Sequence, residues 1–355
     1  MDKILTIVIP SYNTSKFVDT NIKTVLSSKF LDSLDILFVN DGSKDNTAEI
    51  IQKYVEKYPQ SIRIINKGNG GHGSTINVGI IAALGKYFRV LDGDDYVDTN
   101  ALDNVVGNLQ NIDVDLCISP FVKVGSVTGN KTLVLPANPL FLEQYNKIPR
   151  GKVLAVEEYA DILKCHLHTN IFRTALMKEH PEIHMTEHTF YEDTQYYLFP
   201  MPFVKKFMLF DEPVYQYLTE QVSQSCSIEN IKKRMGEHKS IMFSLVRYYE
   251  NVYPKEGAIS RFGRRHIAGH ILYQFHMYLN FDDSCKQRSE ELKAFDKQLF
   301  AISKDIYLES GKFIEIYILR KIGYWTYGVM RWIRKDKGII YFVMRRLYRF
   351  VRKIK

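Results

Sequence analysis

Short apolar runs alternate with amphipathic stretches along the first third of this chain. Leu5–Ile9, Ile36–Asn40, Ile62–Asn66 and Tyr87–Leu91 read as buried strands, and Val18–Ser28, Thr47–Lys57 and Thr75–Leu84 between them read as helices. Apolar strands separated by helices predict βαβ units, hence an α/β fold with a mostly parallel central sheet flanked by helices. Ligands of such sheets bind beyond the carboxyl ends of the strands. Each predicted strand ends in a polar cluster: Ser11, Tyr12 and Asn13; Asn40, Asp41, Gly42 and Ser43; Lys67 to Gly73; Asp92 to Asp95.

Beyond residue 112 the pattern is mixed. Leu116–Val122 and Lys206–Phe210 are strand candidates, and Pro136 to Pro149 is a loop punctuated by prolines. Residues 113–227 therefore read as an extension of the same sheet, and from Ile228 onward the reading is helical. The expected organisation is a ligand-binding part at 1–112, a second part at 113–227 and a helical region at 228–355.

Composition adds limits. With 355 residues, 45% hydrophobic and 25% charged, the chain can bury a core of ordinary globular kind. Cys117, Cys165, Cys226 and Cys285 are far apart in sequence and form no Cys-x-x-Cys pair, so neither a disulfide framework nor a thiolate zinc site is indicated. The apolar run after Lys3 is shorter than a signal peptide needs, so a cytoplasmic location is expected. The net charge of +8 is unevenly placed. From Arg320 to Lys355 there are twelve Lys or Arg against the single acid Asp336, a balance of +11 that leaves −3 on the first 319 residues.

The most informative cluster is Asp92, Gly93, Asp94 and Asp95. Carboxylates gathered at a strand end repel one another unless a cation neutralises them. Asp92 and Asp94, separated by a residue without a side chain, can converge on one hard divalent ion of the kind that shares its oxygen ligands with substrate phosphates. A solvated acidic turn is the alternative. Asp45 can cap the helix from Thr47, which leaves Asp41 without a structural task and free to meet a ribose hydroxyl or a base N–H. Gly68, Gly70 and Gly73 match a Gly-x-Gly-x-x-Gly pattern, the mark of a dinucleotide-binding oxidoreductase. They follow the third strand rather than the first, which favours a turn that lets substrate approach the backbone.

Together, Pro10, Ser11, Tyr12 and Asn13; Val39, Asn40, Asp41, Gly42 and Ser43; Asn69 to Gly73 leading to Asn77; and Leu91 to Asp95 occur in the order and spacing of family 2 glycosyltransferases, which this chain resembles. The resemblance implies a GT-A fold, a nucleotide-sugar donor, a divalent Mn²⁺ or Mg²⁺, and an inverting transfer to a glycan or lipid-linked acceptor. It places Pro10, Tyr12, Asn13, Asp41, Asn69, Gly70, His72, Asn77, Asp92 and Gly93 around the donor and Asp94, with Asp92, on the metal. It also implies that Asp193 is the catalytic base and Glu192 an orienting neighbour. Tyr215, Tyr217, Ser223, Gln224 and Ser225 resemble a donor-closing segment, with Ser223 and Ser225 as donor contacts. Leu218 and Thr219 stand where that segment often has a basic residue, for which Lys232, Lys233 or His238 are candidate substitutes.

Two further patterns stand apart. His180, His184 and His188 recur every four residues, but Pro181 and the β-favouring Thr189, Phe190 and Tyr191 oppose the helix that would make them a zinc face. In the tail, Ile339, Val343, Leu347, Phe350 and Ile354 recur at helical spacing among Arg345, Arg346, Arg349, Arg352 and Lys353, a basic amphipathic pattern. Trp325, Tyr327 and Trp332 precede it. The tail predicts peripheral attachment to an anionic membrane surface, at the cytoplasmic face, rather than nucleic-acid binding, because the rest of the chain is net acidic.

Overall fold

The computed structural model describes residues 2–219, 228–280 and 285–335. The chain divides into two compact units, one of Met1–Gln224 with Gly257–Ile259 and one of Ser225–Glu256 with Ser260–Lys355.

Among the described residues of the first unit there are twelve strands: β1 (Leu5–Ser11), β2 (Leu34–Asn40), β3 (Ile62–Asn66), β4 (Tyr87–Val90), β5 (Tyr96–Val97), β6 (Leu116–Ile118), β7 (Phe121–Gly125), β8 (Lys131–Val134), β9 (Leu154–Ala155), β10 (Asn170–Arg173), β11 (Lys206–Leu209) and β12 (Tyr215–Thr219). Eight of them form one sheet in the order β3-β2-β1-β4-β10-β6-β11-β9. Within it β3, β2, β1 and β4 are parallel, and β10 runs antiparallel to both its neighbours. Every residue of β1, β2 and β4 is buried, which explains their unbroken apolar sequence: helices cover both faces. Those helices are α1 (Ser15–Leu26), α2 (Thr47–Lys57), α3 (His72–Ala82) and α4 (Thr99–Leu109).

Two features depart from the expectation. The run Leu116–Val122 is two strands, broken at Ser119 and Pro120, and its second half joins a separate four-stranded sheet, β5-β12-β7-β8. Proline has no N–H to offer a ladder, so the chain leaves one sheet there and enters the other. The stretch Pro136 to Pro149 is not all loop, since it holds the 3₁₀ turn Pro139–Phe141 and the short helix Leu142–Asn146. The second unit is helical over its described residues, chiefly Met235–Val252, Ala258–Asn280 and Cys285–Ile302. Among the described residues no helix is long and apolar enough to cross a membrane. Ser223, Ser225 and the tail from 336 to 355 lie outside them.

Candidate active site

Because β1 to β4 are parallel, the segments that follow them gather at one rim of the sheet. The four polar clusters thereby become neighbours. Asn13 accepts a hydrogen bond from the Lys44 amide at 2.8 Å, and its own amide donates to Ser43 Oγ at 3.0 Å, joining the first cluster to the second. Asp45 accepts from the Thr47 amide at 3.1 Å and sets the start of α2. Tyr12, 46% exposed, presents its ring to solvent beside them.

Asp41 does have a structural task, contrary to the reading from sequence. It is buried, and its carboxylate accepts from Lys67 Nζ at 2.6 Å and from the amides of Gly70 and Gly71 at 2.9 and 2.8 Å. Asn69 Nδ2 adds a bond to the Asp41 carbonyl at 3.1 Å. The glycine loop is therefore folded around a carboxylate of the chain itself. The Gly70 and Gly71 amides, which a dinucleotide pyrophosphate would need, are already committed, and this weighs against the oxidoreductase reading.

The loop leads into α3, whose first residue is His72. Its Nε2 lies 2.9 Å from Asp92 Oδ1 and its Nδ1 2.8 Å from Glu192 Oε1. Burial opposes protonation of this ring, but the hydrogen bonds to Asp92 and Glu192 outweigh it and hold its pKa well above the ordinary value. His72 is thus an imidazolium donating to a carboxylate on each side. In return it lowers the pKa of Asp92 against the effect of burial.

Asp95 serves the scaffold. Tyr215 on β12 donates to its Oδ2 at 2.6 Å and accepts from the Asp92 amide at 3.1 Å, and the Leu218 amide donates to Asp95 Oδ1 at 2.7 Å. Asn21 of α1 closes the turn from the other side, donating to the Asp95 carbonyl at 3.0 Å. Residues Tyr215–Thr219, the first part of the expected donor-closing segment, form a strand that fixes the acidic turn. Asp94 is half-buried, and burial and then the charge of Asp92 raise its pKa. Burial, Asp92 and Asp94 raise that of Asp95 further. Asp92 and Asp94, in mutual repulsion and offering oxygen donors, fit a hard divalent cation.

Glu192 and Asp193 reach the cleft from the far part of the unit. Asn77 on α3 binds the Met185 backbone twice, donating to its carbonyl and accepting from its amide, both at 2.9 Å, and the His188 amide donates to the Gly70 carbonyl at 2.6 Å. Gly73 permits this close approach, since a Cβ there would stand 2.5 Å from the Thr186 carbonyl oxygen and 2.9 Å from Glu192 Cγ. Glu192 is 3% exposed, and its Oε2 has no hydrogen-bond partner among the described residues. Asp193 opens the helix Asp193–Leu198 and remains open to solvent. Protein around its carboxyl removes much of the surrounding water, and that loss of solvation, followed by the Glu192 charge, raises its pKa to about 6.

One residue near the acids was not singled out from the sequence. His168, from the turn Leu167–Thr169, places Nε2 4.0 Å from Asp92 Oδ2, and one donor atom each from Asp92, Asp95 and His168 lie within 4.8 Å of one another. Burial among the rings of Phe121, Tyr215 and Tyr217 lowers its pKa to about 4, so it is a neutral imidazole. No local pattern marks it, as it is seventy-six residues from Asp92 in sequence.

The other histidines fall away. His180 ends a short helix and stacks on Phe203 at 3.5 Å, whereas His184 and His188 lie outside any helix. His238 is buried in the second unit, so it is not available as a phosphate contact. Lys232 and Lys233 end the helix Ile228–Lys233 of that unit.

Known proteins share the fold and the sequence pattern. Residues 6–180 match the family model described as Glycosyl transferase family 2. Uncharacterized glycosyltransferase EpsJ of Bacillus subtilis is 26% identical over 281 residues, 77% of each chain. Minor teichoic acid biosynthesis protein GgaB of the same species is 25% identical over 243 residues, 67% of this chain and 25% of its own length. Among solved structures, S. aureus TarS 1-349 in complex with UDP-GlcNAc has a TM-score of 0.65 at 15% identity, covering 94% of this chain and 92% of that one, a likeness of fold.

Proposed function

The chain belongs to glycosyl transferase family 2 through residues 6–180, and on that premise we propose that it moves one sugar, with inversion, from a nucleotide-diphosphate donor to a hydroxyl of a glycan or lipid-linked acceptor. A UDP-sugar is the first donor to test. TarS, of the same fold, was solved with UDP-GlcNAc, and this supports the choice. The name of GgaB supports a pathway of bacterial surface-polymer synthesis.

The observation that carries the reading is the meeting of Asp92, His72 and Glu192 at the rim of the sheet, with Asp193 next to Glu192 at the start of its helix. As the acceptor oxygen bonds to the anomeric carbon, the bond from that carbon to the diphosphate oxygen breaks and the electron pair leaves with the diphosphate. The acceptor proton passes to Asp193, whose raised pKa suits a base working near neutrality. Glu192 and His72 orient that end of the cleft, and Pro10, Tyr12, Asn13, Asn69 and Gly93 line the donor end. Asp41 acts on the donor through the glycine loop it holds. Asp94 and Asp92 would hold Mn²⁺ or Mg²⁺, which supplies positive charge to the leaving diphosphate.

A screen of nucleotide sugars with Mn²⁺, following nucleoside diphosphate release, tests the proposal. One donor should be turned over, and Asp94→Ala and Asp193→Ala should each abolish transfer. Release that neither substitution reduces would overturn the site. The place of action is proposed to be the cytoplasmic membrane face, reached through the basic segment Arg320 to Lys355.

A further inference from the structure

Among its described residues the second unit leaves an apolar face open. Ile322, Trp325, Val329 and Trp332 are 55, 77, 53 and 58% exposed. Trp325, Val329 and Trp332 share one side of the 3₁₀ turn Tyr324–Thr326 and of the helix Tyr327–Lys335 that continues it, and Ile322, which ends the preceding helix Ile314–Lys321, is tied to Trp325. The opposite side is anchored in the unit. Thr326, Tyr327 and Met330 are buried, the Tyr327 hydroxyl donates to the Tyr278 carbonyl at 2.6 Å, and Arg334 Nε donates to Asn280 Oδ1 at 2.7 Å. The helix is therefore held with its apolar stripe outward. Trp325 Nε1 already donates to the Ile322 carbonyl at 2.9 Å, so the indole offers its ring rather than an unmet donor.

Charge decides what can cover this stripe. From Arg320 to Lys335 there are five Lys or Arg and no acid, of which Arg320 is already ion-paired with Asp296 at 2.6 Å, and the next twenty residues add seven against Asp336. A two-fold contact between copies would press two strongly basic segments together, and the tail of the same chain would add positive charge to positive. An anionic partner is favoured on both counts. A nucleic-acid backbone would satisfy the cations but offers Ile322 and Val329 no hydrocarbon. An anionic bilayer satisfies both, since phosphates meet the cations and the headgroup–acyl boundary takes the indoles and aliphatic side chains.

We infer that Ile322, Trp325, Val329 and Trp332 form a docking face that enters the interface of an anionic membrane. This deepens the proposed membrane attachment by assigning it a folded face in addition to the tail. It is independent of whether the cleft transfers sugar.

Trp325 and Trp332 are the two tryptophans of the chain, so its indole emission reports on this face alone. The test adds vesicles of phosphatidylcholine, with or without phosphatidylglycerol, to the full chain and records emission, quenching by brominated lipid, and co-sedimentation. The expected result is a blue shift and quenching with the anionic vesicles. In Trp325→Ser/Trp332→Ser, whose replaced side chains are exposed enough to leave the fold intact, co-sedimentation should fall by about tenfold or more. Emission indifferent to vesicles would overturn the inference. So would a blue shift that follows protein concentration alone, marking a second copy, or one produced by single-stranded RNA and not by lipid. Co-sedimentation unchanged in the double variant would also overturn it. Nucleoside diphosphate release from soluble donor, measured without vesicles, should be the same in both proteins, which separates failure here from failure of the transferase reading.

Discussion

Glu192 Oε1 meets His72 Nδ1 at 2.8 Å, although the two residues are 120 positions apart in the chain. The same ring meets Asp92 with its other nitrogen at 2.9 Å. The acidic turn after β4 and the acidic pair Glu192–Asp193 are thereby tied through one cation that belongs to the protein. In the proposed reaction these are the donor end and the acceptor end of the cleft, so His72 is the side chain that fixes their separation.

Removing that tie should uncouple the two ends. His72→Ala is expected to lower kcat for transfer by about 10²-fold, the scale of losing alignment in a site, while the chain still folds. His72→Gln retains one amide donor and should recover part of the loss. Steady-state kinetics on both variants, with circular dichroism to confirm folding, check this, and equal rates in wild type and His72→Ala would remove His72 from the mechanism.

Asp193 is raised to about 6 by loss of solvation around its carboxyl and then by the Glu192 charge. A base acts deprotonated, so activity is expected to be full above that value and to decline as pH falls through it. The profile of kcat/KM for transfer should drop about tenfold per pH unit on the acid side. Asp193→Asn should lose about 10²–10⁴-fold and show no such limb in its residual rate.

Gly73→Ala forces a methyl group against the Thr186 carbonyl and Glu192 Cγ. Overpacking of this kind destabilises by about 1–3 kcal/mol. Because the methyl displaces Glu192 directly, transfer should fall by more than the fraction unfolded accounts for. Urea unfolding and kinetics on the same preparation separate the two effects.

Acid stability is expected to carry a histidine signature from the second unit. Burial lowers His238 to about 4, so the folded protein favours its neutral form, while the unfolded chain takes up the proton near 6.5. The corresponding stability is complete above pH 6.5 and is lost as pH falls towards 4, a change on the order of 3 kcal/mol. Thermal unfolding between pH 7.5 and 4.5 should show a smaller loss in His238→Gln than in wild type.

How much of this was legible beforehand follows from which signals are local. Apolar runs and helical periodicity depend on near neighbours, so β1 to β4 and α1 to α3 stood within a few residues of their positions. Pro120 also carried its signal, a missing N–H, but only the pairing of β7 with β12 and β8 shows that the chain changes sheets there. Asp41 was read as unoccupied because the amides it binds belong to residues some thirty positions away. Nothing beside Tyr215 in the sequence marks that its hydroxyl sets the Asp92–Asp95 turn, because that turn lies 120 positions before it.

The sequence by itself determined the parallel βαβ order and the polar clusters at the strand ends, since hydrophobic period and turn chemistry are written in adjacent residues. Only the tertiary structure decided which clusters meet, that Asp41 and Asp95 serve the scaffold, and that His72 and His168 face Asp92. The reason is that hydrogen bonds and solvation depend on distance in space, and these partners are brought together by sheet order and by the close packing of α3 at Gly73, neither of which leaves a mark at the residues concerned.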